Sequence, residues 1–156
     1  MTKSSLTPKS SSDSVKDEIE LAAEIFHLSA RGDLVDGCGL THYAPAGLAR
    51  EGFIHCATRA QLLDVADDYF STVAGDVVAI QVDPARLGAE LRFEDPAPLA
   101  GGGTGHLVPG AQFPHVYGPL EREAMVAVAV LVSTDAGFAW PASFQSLDSM
   151  LAAAGG

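Results

Sequence analysis

Three histidines in this chain stand between apolar or aromatic neighbours. They are His27 in Glu24-Ile25-Phe26-His27-Leu28, His55 in Phe53-Ile54-His55-Cys56-Ala57-Thr58, and His115 in Phe113-Pro114-His115-Val116-Tyr117-Gly118. Imidazole titrates near neutral pH, so one ring holds a proton while a second accepts one, an arrangement that contributes on the order of 10²–10⁴ in rate. A single histidine among hydrophobes is ordinarily a core group bonded to backbone. Three repeats of the pattern point instead to a shared cleft, because titratable groups gather in functional clefts. His27, His55 and His115 are therefore the candidate catalytic residues, acting as acid and base. Tyr117, two residues beyond His115, points to the same side if that segment is extended. A zinc centre of three histidines has catalytic precedent, but the spacing here carries no His-x-x-x-His signature, so no metal is expected. The residues name no cofactor. Cys56 beside His55 suggests a thiolate nucleophile; strand alternation turns the two side chains to opposite faces and makes Cys56 a buried filler. His42 sits in a polar connection, outside the set.

The elements that must position these rings are short. Phe53 and Ile54 have the aromatic and β-branched character of a strand beginning near Glu51, and Thr58 followed by Gln61 is a capping box that opens a helix. The N–H groups at that helix entrance suit an anionic or polar ligand, which makes Thr58 a candidate binding residue. The helix runs from Arg59 to about Phe70, with Leu62, Leu63, Ala66, Tyr69 and Phe70 on one face and Asp64, Asp67 and Asp68 towards solvent. Glu24 to Ser29 reads as the strand that carries His27. Arg31 to Gly39 reads as a loop or weak helical turn, and Thr41 to Pro45 as extended chain. Asp76 to Asp83 is a central strand, and Leu91-Arg92-Phe93-Glu94 alternates as a strand with one wet face. Glu121-Arg122-Glu123 is one helical turn, followed by the most hydrophobic strand, Met125 to Val132. Between Pro96 and Gln112 the run Gly101-Gly102-Gly103 and several prolines describe a mobile loop, a lid over the site. No Gly-Lys-Ser/Thr follows the glycines, so it is not a phosphate loop.

Composition narrows the partners. With 156 residues and 47% hydrophobic content, the chain can bury one core without disulfides or metal. Residues 1–20 are polar and Ser-rich and read as a disordered leader; residues 21–134 form the domain; residues 135–156 form a tail with a short helix over 143–153. No apolar run approaches the roughly twenty residues needed to span a bilayer, and the start lacks a secretory block, so no membrane and a cytoplasmic location are expected. The net charge is −11, and all three lysines lie in the leader, leaving six arginines in the body. Such a body repels long polyanions, which excludes large nucleic acids as partners. A small phosphorylated molecule remains compatible, with Arg92 or Arg86 supplying the charge for phosphate.

Four spaced segments together resemble a known family: Ile25-Phe26-His27; Tyr43-Ala44-Pro45 through Glu51 to Cys56; Val82-Asp83-Pro84-Ala85-Arg86-Leu87-Gly88; and Phe113-Pro114-His115-Val116-Tyr117-Gly118-Pro119-Leu120. This combination resembles domain of unknown function 952. The resemblance implies an α+β fold like that of ADP-ribosyltransferases and RNA 2′-phosphotransferases: a split, bent β-sheet pair with flanking helices and a nucleotide cleft. It implies that His27 touches a ribose hydroxyl, that His55 stands beside the bound base or ribose, and that Phe113 to Tyr117 replaces the segment bearing the transferase glutamate, with His in place of the acid. Two functions follow as expectations: an enzyme acting on a nucleotide-like or phosphorylated small molecule, or a binding module that has kept the cleft and lost the chemistry.

Overall fold

The computed structural model of the chain describes residues 24–95 and 111–155. The expected leader and all but the last two residues of the expected lid lie outside the described residues. The fold is α+β, with mainly antiparallel sheets and few helices.

The strand β5 (Val77–Val82) is central because its side chains are apolar on both faces, every one buried except the half-buried Gln81. On one side it pairs with β1 (Ile25–Ala30), from Ile25 opposite Val82 to Ala30 opposite Val77. On the other it pairs with β9 (Met125–Val130), whose register slips once between Met125 and Ala127. The short β4 (Ala57–Thr58) extends β1 and completes a four-stranded sheet in the order β9-β5-β1-β4. Side chains alternate between its faces. Val78, Ile80 and Val82 join one core with Tyr43, Ile54, Val116 and Leu120; Ala79, Phe26 and Leu28 join another with Leu62 and Ala66. The second core lies under α3 (Arg59–Tyr69), which opens with the expected capping box.

A second antiparallel sheet has the order β3-β7-β6, from β3 (Ile54–His55), β7 (Phe113–Tyr117) and β6 (Glu90–Glu94). Cys56 joins the two sheets: its N–H donates to the Pro114 carbonyl at 3.0 Å, after which the chain enters β4. Cys56 is buried, and burial pushes its thiol up to about 12, so it is no thiolate at neutral pH. Two-residue strands β2 (His42–Tyr43) and β8 (Leu120–Glu121) pair separately.

Several elements differ from the sequence reading. Residues Arg31–Gly37 form a helix, α1, and residues Ala46–Glu51 form a second, α2, where a strand was expected to begin at Glu51. Gly52, at φ 86°, takes the left-handed conformation that closes α2, and its N–H donates to the Leu48 carbonyl. The apolar run from Met125 does not continue as one strand to Val132. Leu131 donates to Val77, the first residue of β5, so the partner strand ends there and β10 (Val132–Thr134) folds back on β11 (Gly137–Ala139). Asp67 does not simply face solvent, for its carboxylate accepts the Phe138 N–H at 2.8 Å and holds this hairpin to α3. The last helix, α4 (Leu147–Gly155), places Leu147 and Met150 in the first core. Among the described residues no helix is long and apolar enough to cross a membrane.

Candidate functional site

Where β1 passes β3 the two sheets separate. Pairing between β1 and β4 covers only Ile25–Thr58 and Phe26–Ala57, and one residue further along β1 the His27 side chain takes over. Its Nδ1–H donates to the His55 carbonyl at 2.7 Å. Because a carbonyl only accepts, this bond fixes the tautomer, leaving Nε2 to accept the Tyr43 hydroxyl at 3.0 Å. Burial lowers the His27 pKa from 6.5 to about 4, so the ring is neutral at neutral pH. Burial likewise raises the Tyr43 phenol above its ordinary value, which keeps it a donor. The Tyr43 ring packs against Gly37, where an added Cβ would come within 2.8 Å of the ring.

His55 is held from α2. Glu51, in the last turn of that helix, accepts the His55 Nε2–H at 2.8 Å. The His55 pKa is lowered chiefly by burial, against the raising effect of the bond to Glu51 and of its charge, while His115 lowers it further. The carboxylate thus orients a neutral imidazole and directs its free lone pair to Nδ1, which has no hydrogen-bond partner among the described residues.

His115 sits in the row His55–His115–Arg92 across the second sheet, so these three side chains share a face. Phe53 stacks on His115 with ring centroids 4.4 Å apart and also touches His55 and Tyr117. The His115 ring meets His55 edge-on at 5.5 Å. Its Nδ1–H donates to Glu94 Oε1 at 2.8 Å, and the Tyr117 hydroxyl donates to the same oxygen at 2.5 Å. These two bonds, the tyrosine's first, lower the Glu94 pKa; the Tyr117 pKa is raised in turn, chiefly by its bond to the carboxylate.

A cavity of about 550 Å³ opens between α1, α2 and the sheet junction. Its wall includes His27, Tyr43, Glu51 and His55, together with Ser29, Asp33, Asp36 and Arg50. The geometry therefore brings two of the three candidate histidines to one cavity, with the third packed behind His55 and only 2% exposed. The other candidates lie off this wall. Arg92 grips Glu90 through two bonds of 2.9 Å and covers the Tyr117 ring, its cation 4.4 Å from the ring centre. Arg86 bonds Asp83 and the Glu123 carbonyl. Thr58 is occupied by its capping box with Gln61. His42 is exposed and bonds the Thr41 hydroxyl.

Tyr43, Glu51 and Glu94 are the partners that sequence reasoning missed. Glu51 and His55 had a visible signal in their four-residue spacing, obscured by reading Glu51 as strand. Glu94 was legible only as the wet face of β6, and Tyr43 stood in a segment of the family resemblance without a role. Among the described residues, no group of three or more His, Cys, Asp or Glu side chains is placed to hold a metal ion.

Two crystal structures of protein CC0527 from Caulobacter crescentus are similar to this chain. One matches with 25% identity and a TM-score of 0.59, covering 83% of this chain and 98% of that one. The other, a double mutant of the same protein, matches with 24% identity and a TM-score of 0.58 over the same shares. Among curated proteins none matches. Residues 22–128 match the model of a protein family of unknown function, DUF952, and the chain belongs to that family.

Proposed function

We propose that this chain is an enzyme that uses histidine acid–base chemistry on a small nucleotide-like molecule bound in the cavity lined by His27 and His55. The observation that carries this reading is the Glu51–His55 pair on the wall of a cavity of ligand size. A neutral imidazole whose Nε2–H is held by a carboxylate presents Nδ1 as a base. It takes a proton from a substrate hydroxyl, and the resulting imidazolium is stabilised by Glu51. The neutral His27–Tyr43 pair, bonded to the His55 carbonyl, holds the neighbouring part of the wall fixed.

The charges on the wall refine the substrate class. The lining holds three carboxylates, Asp33, Asp36 and Glu51, and a single guanidinium, Arg50. Carboxylates accept hydrogen bonds from vicinal hydroxyls such as those of ribose, whereas a polyphosphate would meet like charge. A nucleoside or ribosyl group with at most one phosphate fits this wall better than a dinucleotide. The nucleotide cleft that the family resemblance implies accords with a ribosyl ligand. The absence of an acid within Phe113–Tyr117 favours the second reading, a binding module without chemistry.

Calorimetric titration with adenosine, AMP, ADP-ribose and nicotinamide dinucleotide tests the proposal. Adenosine or AMP is expected to bind, His55→Ala to weaken or abolish catalysis, and the dinucleotide to bind less well. Binding without conversion of any ligand would leave the module reading. No binding at millimolar concentration would remove both.

A further inference from the structure

Phe53, one residue ahead of β3, belongs to the wall of the main cavity, and the acid–base reading gives it no part. The other aromatic rings of that wall are engaged. Tyr43 is 0% exposed and bonds His27, and both imidazoles hold hydrogen bonds of their own. Phe53 is half-buried, so what it leaves to the cavity is bare aromatic surface next to the charged Glu51 and Arg50. One face of its ring is already taken, because His115 lies against it with centroids 4.4 Å apart and planes 28° from parallel. His115 is fixed in turn by Glu94, whose carboxylate also accepts the Tyr117 hydroxyl. A ring backed this firmly is preset for a flat partner, and a preset surface costs little ordering on binding.

We infer that Phe53 is the stacking platform for the nucleobase of the ligand, and so the residue by which the cavity distinguishes a nucleoside from a simple riboside. The inference rests on the reading of the main cavity as a ribosyl site. Both residues line this one cavity, and the Phe53 and His55 ring centroids are 4.8 Å apart. A ligand whose sugar hydroxyl reaches His55 therefore carries the group next to its sugar over Phe53. In a nucleoside that group is the flat base. The base extends a column of rings, base on Phe53 on His115, with Glu94 holding the last member. Offset stacking of this kind reads flatness, since every base has a π-face.

The probes are adenosine and methyl β-D-ribofuranoside, which share the sugar and differ in the base, titrated by calorimetry into the full chain. Adenosine is expected to bind roughly ten-fold or more tightly than the methyl glycoside. Phe53→Leu keeps an apolar side chain without a flat face, and the ratio of the two affinities is expected to fall towards one. Phe53→Tyr restores the ring and is expected to restore the ratio. Equal affinities in the natural chain, or a ratio that survives Phe53→Leu, would overturn the platform and leave the ribosyl reading standing. If Phe53→Leu does not fold, the natural chain decides: bound adenosine is expected to show nuclear Overhauser contacts from its base protons to the Phe53 ring protons, and their absence would overturn the inference. Should neither probe bind, the ribosyl reading fails and the platform with it.

Discussion

At the scale of single residues, the site depends on which imidazole nitrogen carries its proton. His27 and His55 have opposite arrangements, Nδ1–H to a carbonyl in one and Nε2–H to a carboxylate in the other. Glu51→Gln removes the charge that raises the His55 pKa while leaving the burial that lowers it, so the His55 midpoint is expected to fall, as read by NMR titration of its ring protons. A rise would show that Glu51 does not face the ring in solution. His27 makes a distinct prediction. Its folded pKa, about 4, lies below its ordinary 6.5, so between those values the unfolded chain binds a proton that the folded chain does not. The stability from its neutral form is complete above pH 6.5 and is lost as pH falls towards 4, by up to about 3 kcal/mol. The lowered carboxylates Glu24 and Glu94 lose their contributions only below their ordinary value of 4.5, so histidine dominates the upper part of the window. Urea melts at pH 7 and pH 5 should show this loss in the natural chain and a smaller one in His27→Gln. Equal losses would place the cause elsewhere.

At the scale of elements, Thr58 separates a structural role from a ligand role. Its side chain accepts the Gln61 N–H and its own N–H donates to the Gln61 side chain at 2.9 Å, which satisfies orphan donors at the start of α3. Thr58→Ala is expected to cost about 1 kcal/mol in chemical denaturation and to leave nucleoside affinity unchanged. A large loss of affinity at unchanged stability would return Thr58 to the binding site. The capping box was legible because it is local: two side chains three residues apart satisfy each other. The central strand was legible for a similar reason, since Val77–Val82 is apolar on both faces. Helix α2 was not, because Ala46–Glu51 has no buried residue and no side-chain cap; its ends are set by Pro45 and by the left-handed Gly52. That failure hid the Glu51–His55 pair. The row His55–His115–Arg92 was hidden differently, for it depends on the register of strands paired between residues 60 and 23 positions apart. A period of two assigns a face within a strand but cannot align one strand with another.

At the scale of the whole molecule, the segment after residue 135 closes the sheet. Strand β9 is the edge of the four-stranded sheet, and an unpaired edge invites association with other chains. Val128 and Gln145 exchange backbone hydrogen bonds of 2.8 Å each way across that edge. Nearby, Trp140 and Phe144 stack with centroids 5.7 Å apart and pack on Phe26, while the Arg59 guanidinium lies 4.9 Å from the Trp140 ring centre. Helix α4 then lays Leu147 and Met150 over the first core, 5% and 1% exposed, and Asp148 accepts a bond from Arg122 at 2.6 Å. Both sides of the sheet are therefore covered in part by the last twenty residues, although their Ser- and Ala-rich sequence reads as a tail. A side chain as enclosed as Met150 costs about 2–5 kcal/mol to truncate to Ala, a large share of the ordinary 5–15 kcal/mol. Met150→Ala is expected to lower the melting temperature while keeping one cooperative transition. Removal of residues 147–156 takes Leu147 and Met150 out of the first core beside β9, and is expected to abolish the cooperative transition in calorimetry. A truncated chain melting within a few degrees of the full one would make α4 an appendage, and the first core would then have to be closed by the two sheets alone.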